Sequence, residues 1–353
     1  MPRIKELDYL RGLAALGIMC YHYMKWLYVY DGANTFIGRV SVYGVEIFYI
    51  LSGITLYHVY HQKLTCNKGP ILAYFLKRFF RIFPLFWLSI LLTLLITLKH
   101  TSLQNLLINV SGLFSIVSWD TYISPGTWSV GNELVFYLVF PFLLYLYPLN
   151  RFIYALVGLI LFILYHYFAF YIFNPNDTLH NQWSLFINPL NHLLLFYIGM
   201  SIPILFRKEK TTNKNFAFLI LFGAIILFGI RTGDDGIHLL YGINRWLFTI
   251  ASAFICIGFY CLEMNLPKWL DQPFKQLGEM SYAVYLLHPF FYQLLCNVIR
   301  KAAQLGYNFP HSNSLLIMIA VLFTLLMSKF IYHYFEVYFI KKGTIYISNF
   351  YKS

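Results

Sequence analysis

The sequence predicts an all-α integral membrane protein with about ten transmembrane helices. Of its 353 residues, 59% are hydrophobic and 11% are charged, whereas a soluble domain carries about 25% charged side chains. Aromatic residues make up 20% of the chain, and disordered chains are poor in aromatic residues. A soluble globule and a disordered chain are therefore both excluded, which leaves a multi-pass membrane protein.

Ten apolar segments are long enough to cross a bilayer, since a helix needs about 20 residues to span roughly 30 Å of hydrocarbon. They are residues 8–29, 43–60, 83–99, 128–147, 152–172, 188–206, 215–231, 243–262, 280–298 and 314–335. An even number of spans places both termini on one side of the membrane. No internal repeat or polar linker divides the segments, so we expect one transmembrane domain over residues 1–353 without an appended soluble domain.

The distribution of positive charge predicts the orientation. If the N-terminus is cytoplasmic, most of the 26 lysines and arginines fall on inside segments, so the positive-inside rule favours an N-in, C-in topology. The same distribution explains most of the net charge of +12 without a nucleic-acid partner. The exceptions, which fall in spans or outside loops, are Lys25, Arg39, Lys99, Arg231, Arg245, Arg300, Lys301 and Lys329.

The cysteines and histidines show no metal-ligand spacing, and we expect no metal site. The five cysteines, Cys20, Cys66, Cys256, Cys261 and Cys296, are expected to be small buried hydrophobic side chains. We expect no cleavable signal before the first apolar segment, because charged residues interrupt the N-terminus and no suitable cleavage site follows. This segment is therefore expected to remain as a helix.

The first helix carries Arg11 and His22 on one face. Eleven steps of about 100° exceed three full turns by only about 20°, and they separate the two residues by about 16 Å along the axis. Asp8 lies three residues before Arg11, within reach of an ion pair. Ionisable residues inside a span are costly, so Arg11 and His22 are candidate functional residues.

His22 and Glu133 are predicted to lie at the same depth, each about 9 Å from the outer edge of the membrane. An imidazole and a carboxylate at one depth are a candidate general-base pair. The alternative is that His22 is a packed, hydrogen-bonded histidine. Glu133, and likewise Glu46 in the second span, would then only satisfy a helix N-terminus.

Arg78 and Arg81 precede the third predicted span. They are three residues apart, so on a helix their side chains point to one side. Neighbouring guanidinium groups suit a phosphate-bearing ligand through forked hydrogen bonds. The alternative is that they only mark the cytoplasmic side. Arg11, which lies on the same side, favours the phosphate-binding interpretation.

Five short motifs follow one another along nearly the whole chain. They are Leu7-Asp8-Tyr9-Leu10-Arg11-Gly12 with His22; Gly44-Val45-Glu46-Ile47-Phe48 through Ser52-Gly53; Arg78 and Arg81 before Ile82-Phe83-Pro84; Trp128-Ser129 through Glu133; and Ser281-Tyr282 through His288-Pro289. In this order they resemble acyltransferase family 3 membrane proteins, which include bacterial O-antigen and exopolysaccharide O-acetyltransferases. The departures are small: Ile54 replaces a common aromatic residue, and the run Val130-Gly131-Asn132 is unusual.

The resemblance implies ten membrane helices and transfer of an acyl group, usually acetyl from acetyl-CoA, to a sugar hydroxyl. It implies that His22 is catalytic and that three arginines bind the donor: Arg11, Arg78 and Arg81. We further expect Glu133 to orient His22, as the acid does in a Ser-His-Asp triad. His288 is a candidate for the donor path or for a purely structural role.

Four further residues are candidates for substrate contacts. Ser52 and Tyr282 are candidates by motif alone, and Glu46 joins them as an ionisable residue of the second span. Trp128 is a candidate for stacking on a sugar ring. The alternative for Trp128 is a place in the aromatic belt at the membrane interface.

The resulting hypothesis is a membrane O-acetyltransferase of the bacterial inner membrane. Its partners would be acetyl-CoA, membrane lipid and a cell-surface glycan or the lipid-linked glycan precursor. His22 would act as a general base or carry the acyl group itself, and the sequence leaves both open. The alternative function is a transporter or flippase for a glycan or lipid precursor. That function predicts polar residues spread through the core of several helices, or inverted repeats with broken helices. Here the polar residues concentrate in the first, second and fourth spans, and no repeat is evident.

Overall fold

The computed structural model describes residues 3–28, 32–64, 68–98, 101–206, 214–305 and 312–350. Within these ranges the chain is predominantly helical and contains no β-strand, as the composition predicts. Cys66 and Lys99 lie outside the described residues.

Sixteen α-helices follow one another within the described ranges. They are α1 (Lys5–Tyr28), α2 (Phe36–Tyr60), α3 (Lys68–Thr97), α4 (Leu103–Ser111), α5 (Phe114–Val117), α6 (Thr127–Leu149), α7 (Arg151–Tyr167), α8 (Trp183–Phe186), α9 (Leu193–Leu205), α10 (Lys214–Phe228), α11 (Ile237–Leu240), α12 (Gly242–Cys261), α13 (Lys268–Glu279), α14 (Ser281–Gln304), α15 (Asn313–Ile331) and α16 (Val337–Phe350). Two π-helical turns, Phe168–Ile172 and Tyr332–Glu336, extend α7 and join α15 to α16.

Each of the ten predicted segments overlaps one of these helices, with differences at the ends. Among the described residues, seven helical stretches are long and apolar enough to span a membrane: α2, α3, α6, α7 with its π-helical turn, α12, α14 and the continuous α15–α16. Helices α9 and α10 are apolar but shorter. Helix α1 is the most charged of the ten at its start, with Lys5, Glu6, Asp8 and Arg11. The fold class is confirmed, whereas the count of ten spans and the N-in, C-in orientation stay predictions.

Helix α3 begins earlier than predicted. It runs from Lys68 through Pro84, so Arg78 and Arg81 lie inside the helix and not before it. Pro84 lies inside this helix, since a proline is tolerated within a membrane helix where neighbouring groups satisfy the freed backbone. The two arginines are consequently held by a rigid element.

Helix α2 lies at the centre of the bundle and packs against α1, α6, α9 and α12. Its contact with α9 is close because Gly53 faces Gly199, and a Cβ on either residue would overlap the backbone of the other helix. Small residues at such a crossing let two backbones approach. Helix α2 therefore presents its polar residues to several neighbouring helices.

Helices α1 and α14 run side by side in the same direction. Gly12 contacts the backbone of Gly278 just before α14, since a Cβ on Gly12 would lie 2.7 Å from the Gly278 nitrogen. Ten residues further along each segment, His22 and His288 are hydrogen-bonded. Helix α15 returns in the opposite direction, and its Thr324 hydroxyl is hydrogen-bonded to Tyr23. The N-terminal end of α1 thus lies near α13, and its C-terminal end lies near the start of α15.

Four cysteines are described, and all four have free thiols. Cys256 and Cys261 are buried, as expected for small apolar side chains. Cys20 and Cys296 are partly accessible. The expectation of burial therefore holds for the pair in α12 and is too strong for the other two.

Candidate active site

A cavity of about 380 Å³ opens at the N-terminal end of α1. We call it the arginine cavity. Its polar lining includes Arg11, Arg78, Arg81, Glu133, Tyr137 and Ser52. Helices α1, α2, α3, α6 and α14 each contribute to this lining, so the cavity brings together residues of all five sequence motifs.

Arg11 is held by two neighbours at the mouth of the arginine cavity. Its Nη2 donates to Thr55 Oγ1 at 2.9 Å, and its Nη1 donates to Asp8 Oδ1 at 3.4 Å. Asp8 also accepts a hydrogen bond from Arg3 Nε at 2.5 Å. The predicted Asp8–Arg11 ion pair is therefore present, and Asp8 links two guanidinium groups.

Arg78 and Arg81 both face the arginine cavity, as their spacing predicts. The Arg78 guanidinium lies 6.0 Å from the ring centroid of Tyr60 and 5.9 Å from that of Tyr137. Within the described part of the chain, its buried Nε has no hydrogen-bond partner. A buried donor without a partner is costly, so Arg78 retains a hydrogen bond that a ligand can accept.

Glu133 is hydrogen-bonded to Tyr137, one turn further along α6. The Tyr137 hydroxyl donates to Glu133 Oε2 at 2.7 Å, and Ser52 Oγ donates to the Tyr137 oxygen at 3.3 Å. The charges of Arg11, Arg78 and Arg81 act on the Glu133 carboxylate. Glu133 and Ser52 thus belong to one polar network that faces the three guanidinium groups.

His22 is paired with His288 near the other end of α1. His22 Nδ1 lies 2.8 Å from His288 Nε2, and the two rings are nearly parallel. His288 Nδ1 lies 2.7 Å from the carbonyl oxygen of Tyr285. Since a carbonyl can only accept, His288 Nδ1 carries a proton, and with neutral rings its Nε2 must accept from His22. His22 Nε2 is then left with a lone pair, which is the state that a general base requires.

The predicted pairing of His22 with Glu133 does not occur in the structure. His22 is hydrogen-bonded to His288, and Glu133 to Tyr137. Glu133 lines the arginine cavity together with Arg11, whereas His22 lies about 16 Å beyond Arg11 along α1 and outside that cavity. Helix α1 packs on α14, whereas α6 packs mainly on α5 and α7. The expectation that Glu133 orients His22 therefore needs replacement.

Two aromatic residues lie between the arginine cavity and the histidine pair. Phe48 and Tyr285 both line the cavity, with ring centroids 5.8 Å apart. The Tyr285 ring lies 6.4 Å from that of His288, and its hydroxyl is hydrogen-bonded to Ser129 at 2.7 Å. Neither His22 nor His288 lines the cavity. We call Phe48 and Tyr285 the aromatic partition.

Glu46, a predicted substrate contact, lies away from the arginine cavity. It is fully buried, and it accepts hydrogen bonds from Thr249 Oγ1 at 3.3 Å and from the Tyr165 hydroxyl at 3.5 Å. The charge of the buried Arg245 acts on it, and Arg245 in turn is hydrogen-bonded to Asn191. Glu46 therefore belongs to a closed polar cluster between α2, α7 and α12.

The remaining two predicted substrate contacts differ in position. Trp128 is buried, and its ring lies 5.5 Å from that of Trp183 and 5.4 Å from that of Phe186, outside the arginine cavity. Tyr282 lines the cavity, and its hydroxyl donates to the carbonyl oxygen of Ile82 at 3.0 Å. Trp128 thus packs in the protein interior, while Tyr282 links α14 to α3 beside the arginines.

The histidine pair is not among the sequence-based predictions, although part of its signal is in the sequence. Gly12 is followed after ten residues by His22, and Gly278 is followed after ten residues by His288. In the structure Gly12 contacts Gly278 just before α14, which runs parallel to α1, so the equal spacing brings the two imidazoles to the same level. The spacing can be read from the sequence, whereas the contact between the glycines cannot.

Glu336 is a second residue that the sequence analysis missed. It lies at the end of the π-helical turn between α15 and α16, and its carboxylate is buried within the electrostatic influence of Arg81. Such turns are frequent at functional sites. The signal was a single acidic residue in a long apolar segment.

Comparison with known proteins gives the family. The profile of acyltransferase family 3, described as an acyltransferase domain, matches residues 4–340. A protein of Acidianus two-tailed virus, named as a candidate acetyltransferase, is 28% identical over 299 residues, which are 83% of this chain and 84% of the relative. A protein of Komagataeibacter xylinus, named as a candidate membrane-bound transacylase, is 21% identical over 310 residues, which are 81% of this chain and 72% of the relative. No solved structure gives a significant match.

The helical fold, the membrane-spanning helices and these relatives define a multi-pass membrane acyltransferase. The chain belongs to acyltransferase family 3, because the family profile covers nearly its whole length. The resemblance drawn from the five motifs is confirmed. An enzyme of this class requires an acyl donor and an acceptor.

Proposed function

We propose that the protein transfers an acetyl group from cytoplasmic acetyl-CoA to a hydroxyl of a cell-surface glycan or its lipid-linked precursor, in the inner membrane of a bacterium. The observation that carries the proposal is the arrangement of α1. One end of this helix contributes Arg11 to the arginine cavity, and His22, about 16 Å further along, forms the histidine pair. Donor binding and chemistry would then lie at opposite ends of one helix.

The arginine cavity suits the phosphates of the donor. Guanidinium groups form forked, charge-assisted hydrogen bonds with phosphate oxygens. Arg78 has an unused buried donor at Nε, and its neighbours Arg11 and Arg81 supply further positive charge. A volume of about 380 Å³ is in the range of small-molecule pockets. These residues fit the polyanionic end of acetyl-CoA, with the N-terminal end of α1 on the cytoplasmic side.

The distance between the two ends of α1 fits the remainder of the donor. About 16 Å along the helix is comparable to the length of a pantetheine arm. The arm would lie along α1 and pass the aromatic partition, so that the thioester meets His22 while the nucleotide part stays at the cytoplasmic end. Phe48 and Tyr285 would have to turn aside, since they separate the cavity from the histidine pair.

His22 would act as the general base. Its Nε2 takes the proton of the acceptor hydroxyl while the hydroxyl oxygen forms a bond to the thioester carbonyl carbon. The carbon–sulfur bond then breaks, and the leaving thiolate takes the proton from His22 Nε2. His288 holds the His22 ring in the required tautomer through the Nδ1–H hydrogen bond, which is the role that the acid has in a Ser-His-Asp triad. An acyl-His22 intermediate would use the same lone pair as a nucleophile.

The remaining candidates take roles that follow from their contacts. Glu133 is assigned to the donor end, where its carboxylate balances the guanidinium charges and fixes their positions. Ser52 and Tyr282 also line the arginine cavity and are assigned to the donor end. Glu46 and Trp128 are assigned to packing, because both are buried away from the cavity.

Transfer of labelled acetyl groups tests the proposal. Purified protein is incubated with labelled acetyl-CoA and lipid-linked or polymeric glycan, and wild type is compared with His22→Ala. His166→Ala is the matched control, since His166 is partly exposed and stacks on Phe170 outside both sites. We expect label on the glycan with wild type and His166→Ala only. Transfer by His22→Ala would refute the mechanism, and absence of both transfer and acetyl-CoA binding would favour a transporter.

A further inference from the structure

Glu336 is a buried carboxylate just outside the lining of the arginine cavity. It ends the π-helical turn between α15 and α16, and only 5% of its surface is exposed. Among the described residues, its Oε1 has no hydrogen-bond partner. A buried acceptor without a partner is costly, and a buried charge without one is costlier still. A cationic donor that reaches Glu336 Oε1 would therefore be bound strongly.

The backbone around Glu336 is fixed against α3. The π-helical turn packs against α3, and Gly343 of α16 lies so close to Phe80 that a Cβ would overlap the Phe80 ring. On the other side, the Tyr282 hydroxyl of α14 donates to the carbonyl oxygen of Ile82. Phe80 and Ile82 are the chain neighbours of Arg81. The carboxylate of Glu336 is consequently held beside the turn of α3 that carries Arg81.

Arg81 is the least restrained of the three cavity arginines. Arg11 is hydrogen-bonded to Thr55, and the Arg78 guanidinium lies beside two aromatic rings. Arg81 is exposed, and within the described ranges it takes part in no hydrogen bond or ion pair. It lines the arginine cavity, and its charge acts on the carboxylate of Glu336. Its long side chain therefore lies between a fixed internal anion and any phosphate that enters the cavity.

We propose that Glu336 competes with the phosphates of the donor for Arg81. With CoA bound, the Arg81 guanidinium points into the arginine cavity, and as CoA leaves, it turns to Glu336 Oε1. The exchange is chemically matched, because a guanidinium forms the same forked, charge-assisted hydrogen bonds with a carboxylate as with a phosphate. Glu336 is a positioning residue in this assignment. The inference rests on the proposed function, to which it adds the means by which the donor site releases its ligand.

The need for such a competitor follows from the chemistry of the donor. Acetyl-CoA and CoA carry the same phosphates, so three guanidinium groups hold the spent carrier as tightly as the fresh donor. Binding that is equal for substrate and product does not speed the chemical step, and product release limits the turnover of many enzymes. An internal anion that takes one of the three guanidinium groups lowers the affinity for both ligands and shortens the time that CoA stays bound.

The sign of the effect separates competition from support. If Glu336 competes for Arg81, removal of its charge should tighten the binding of a polyanion. If Glu336 only supports the fold around α3, the same change should weaken binding or leave it unaltered. One unit charge within about 10 Å, at the effective dielectric of a site near the protein surface, is equivalent to about tenfold in affinity.

The binding of CoA by protein in phosphatidylcholine nanodiscs tests the assignment. Titration calorimetry gives the Kd, and displacement of labelled CoA gives the dissociation rate. Glu336→Gln, which removes the charge and keeps the shape, should lower the Kd about tenfold and slow dissociation by a similar factor. Glu336→Asp keeps the charge and should stay within about twofold of wild type. Glu263→Gln, at an exposed glutamate outside the cavity lining, is the matched control and should not change the Kd.

The same substitution in the Arg81→Ala background tests whether the effect passes through Arg81. Arg81 is exposed, so this variant should fold as wild type does. Without the guanidinium, Glu336→Gln should change the Kd of CoA less than about twofold, because the competition has lost its object. A tenfold tightening that persists would overturn the proposal, since the carboxylate would then act on the ligand directly. Unchanged or weaker binding by Glu336→Gln in the protein with Arg81 would overturn it as well.

Inorganic pyrophosphate separates this inference from the proposed function, because it has a diphosphate group but no thioester. Glu336→Gln should tighten its binding by about the same factor as that of CoA. Tighter pyrophosphate binding in a protein that does not bind CoA would contradict the proposed function and leave the role of Glu336 standing. CoA binding by wild type that Glu336→Gln does not alter would do the reverse, and binding of neither ligand would overturn both.

Discussion

The two ends of α1 hold their candidate functional side chains by different kinds of contact. At the N-terminal end, charged groups hold one another: Asp8 accepts hydrogen bonds from Arg3 and Arg11. Near the C-terminal end, His22 is hydrogen-bonded to a second imidazole and stacked on Trp26, and among the described residues no carboxylate pairs with it. A charged end suits the binding of a polyanion, and an aromatic end suits proton transfer near apolar surface.

Under the proposed function, this difference means that donor binding and chemistry are separable. Helical periodicity places Arg11 and His22 on one face, so a single rigid helix fixes the distance between them at about 16 Å. Substitutions at one end should alter donor affinity, whereas substitutions at the other should alter the rate of transfer. The following expectations test that separation, beginning with the largest effect.

His22→Ala should have the largest effect. We expect kcat to fall by about 10³-fold, because a positioned general base contributes roughly 10²–10⁴-fold. The Kd of acetyl-CoA should stay within about twofold of wild type, since His22 does not line the arginine cavity. Single-turnover transfer and equilibrium binding measure the two quantities. Loss of acetyl-CoA binding in this variant would contradict the separation.

His288→Ala should lower kcat by about 10²-fold and leave the KM for acetyl-CoA unchanged, because His22 loses the acceptor of its Nδ1–H. His288 is a positioning residue in this account, so a conservative replacement should restore part of the rate. His288→Gln retains an acceptor and is the rescue variant. If Ala and Gln are equally slow and both raise KM, His288 has a structural role only.

Arg78→Ala should act on the donor and not on the chemical step. We expect the Kd of acetyl-CoA to rise about 10- to 100-fold, since each charge-assisted hydrogen bond contributes about 1.5–3 kcal/mol. At saturating donor, kcat should change little, and Arg78→Lys should bind with intermediate affinity. Arg151→Ala, at an exposed arginine at the start of α7, is the control. A large loss of kcat at saturating donor would mean that Arg78 takes part in the chemical step.

The two glutamates should respond differently, because Glu46 is enclosed and Glu133 faces the arginine cavity. Glu46→Gln should lower the free energy of unfolding by about 1.5 kcal/mol through its weakened hydrogen bonds with Thr249 and Tyr165, and leave the KM for acetyl-CoA unchanged. Glu133→Gln should change that KM with a smaller effect on stability. Thermal unfolding and donor titration of both variants compare them. The reverse pattern would assign Glu46 to the donor end and Glu133 to packing.

The smallest expected effect is on stability, through the contacts that hold the N-terminal end of α1 against α13. Asp271 of α13 is hydrogen-bonded by Tyr9 and paired with Lys5 at 3.6 Å, and these contacts hold the pKa of its carboxyl below the usual 3.8. A lowered pKa in the folded state means that the contribution to stability is present above pH 3.8 and is lost as the pH falls through the folded value. Asp271→Asn should remove this pH-dependent contribution to the free energy of unfolding.

Thermal unfolding between pH 3 and pH 6 measures that contribution, and Asp120→Asn in an exposed loop is the control. Wild type and the control should lose the same stability on acidification, and Asp271→Asn should lose less. Identical pH profiles for all three proteins would show that Asp271 does not stabilise this end of α1.

The sequence predicted the helices and the facing of residues within one helix, because both follow from composition and helical periodicity. The placement of Arg11 and His22 on one helix face, and likewise of Arg78 and Arg81, follows from their spacing alone. It needs no knowledge of neighbouring helices. Contacts between helices were harder, since they depend on which helices are neighbours and on how far each helix is shifted along the membrane normal, and neither follows from the sequence of one segment. His22 was therefore matched with Glu133 and not with His288, its partner in the structure.

The two glutamates show the same limit of prediction from sequence. Glu46 and Glu133 are each a single acidic residue in an apolar helix, and nothing local to either motif says which one is enclosed. The distinction depends on Arg245 and Thr249, which come from α12, about 200 residues beyond Glu46. Helix α3 also begins earlier than the predicted span, because hydropathy locates the apolar part of a helix and not the polar turns that extend it.

A double-mutant cycle on Arg78→Ala and His288→Ala tests the central claim most directly, since both single variants are expected to retain measurable transfer. The quantity is kcat/KM for acetyl-CoA in wild type, each single variant and the double variant. If binding and chemistry occupy separate ends of α1, the two effects add within about 0.5 kcal/mol. A coupling free energy above about 1 kcal/mol would contradict the account, because it would mean that the arginine cavity and the histidine pair form one site.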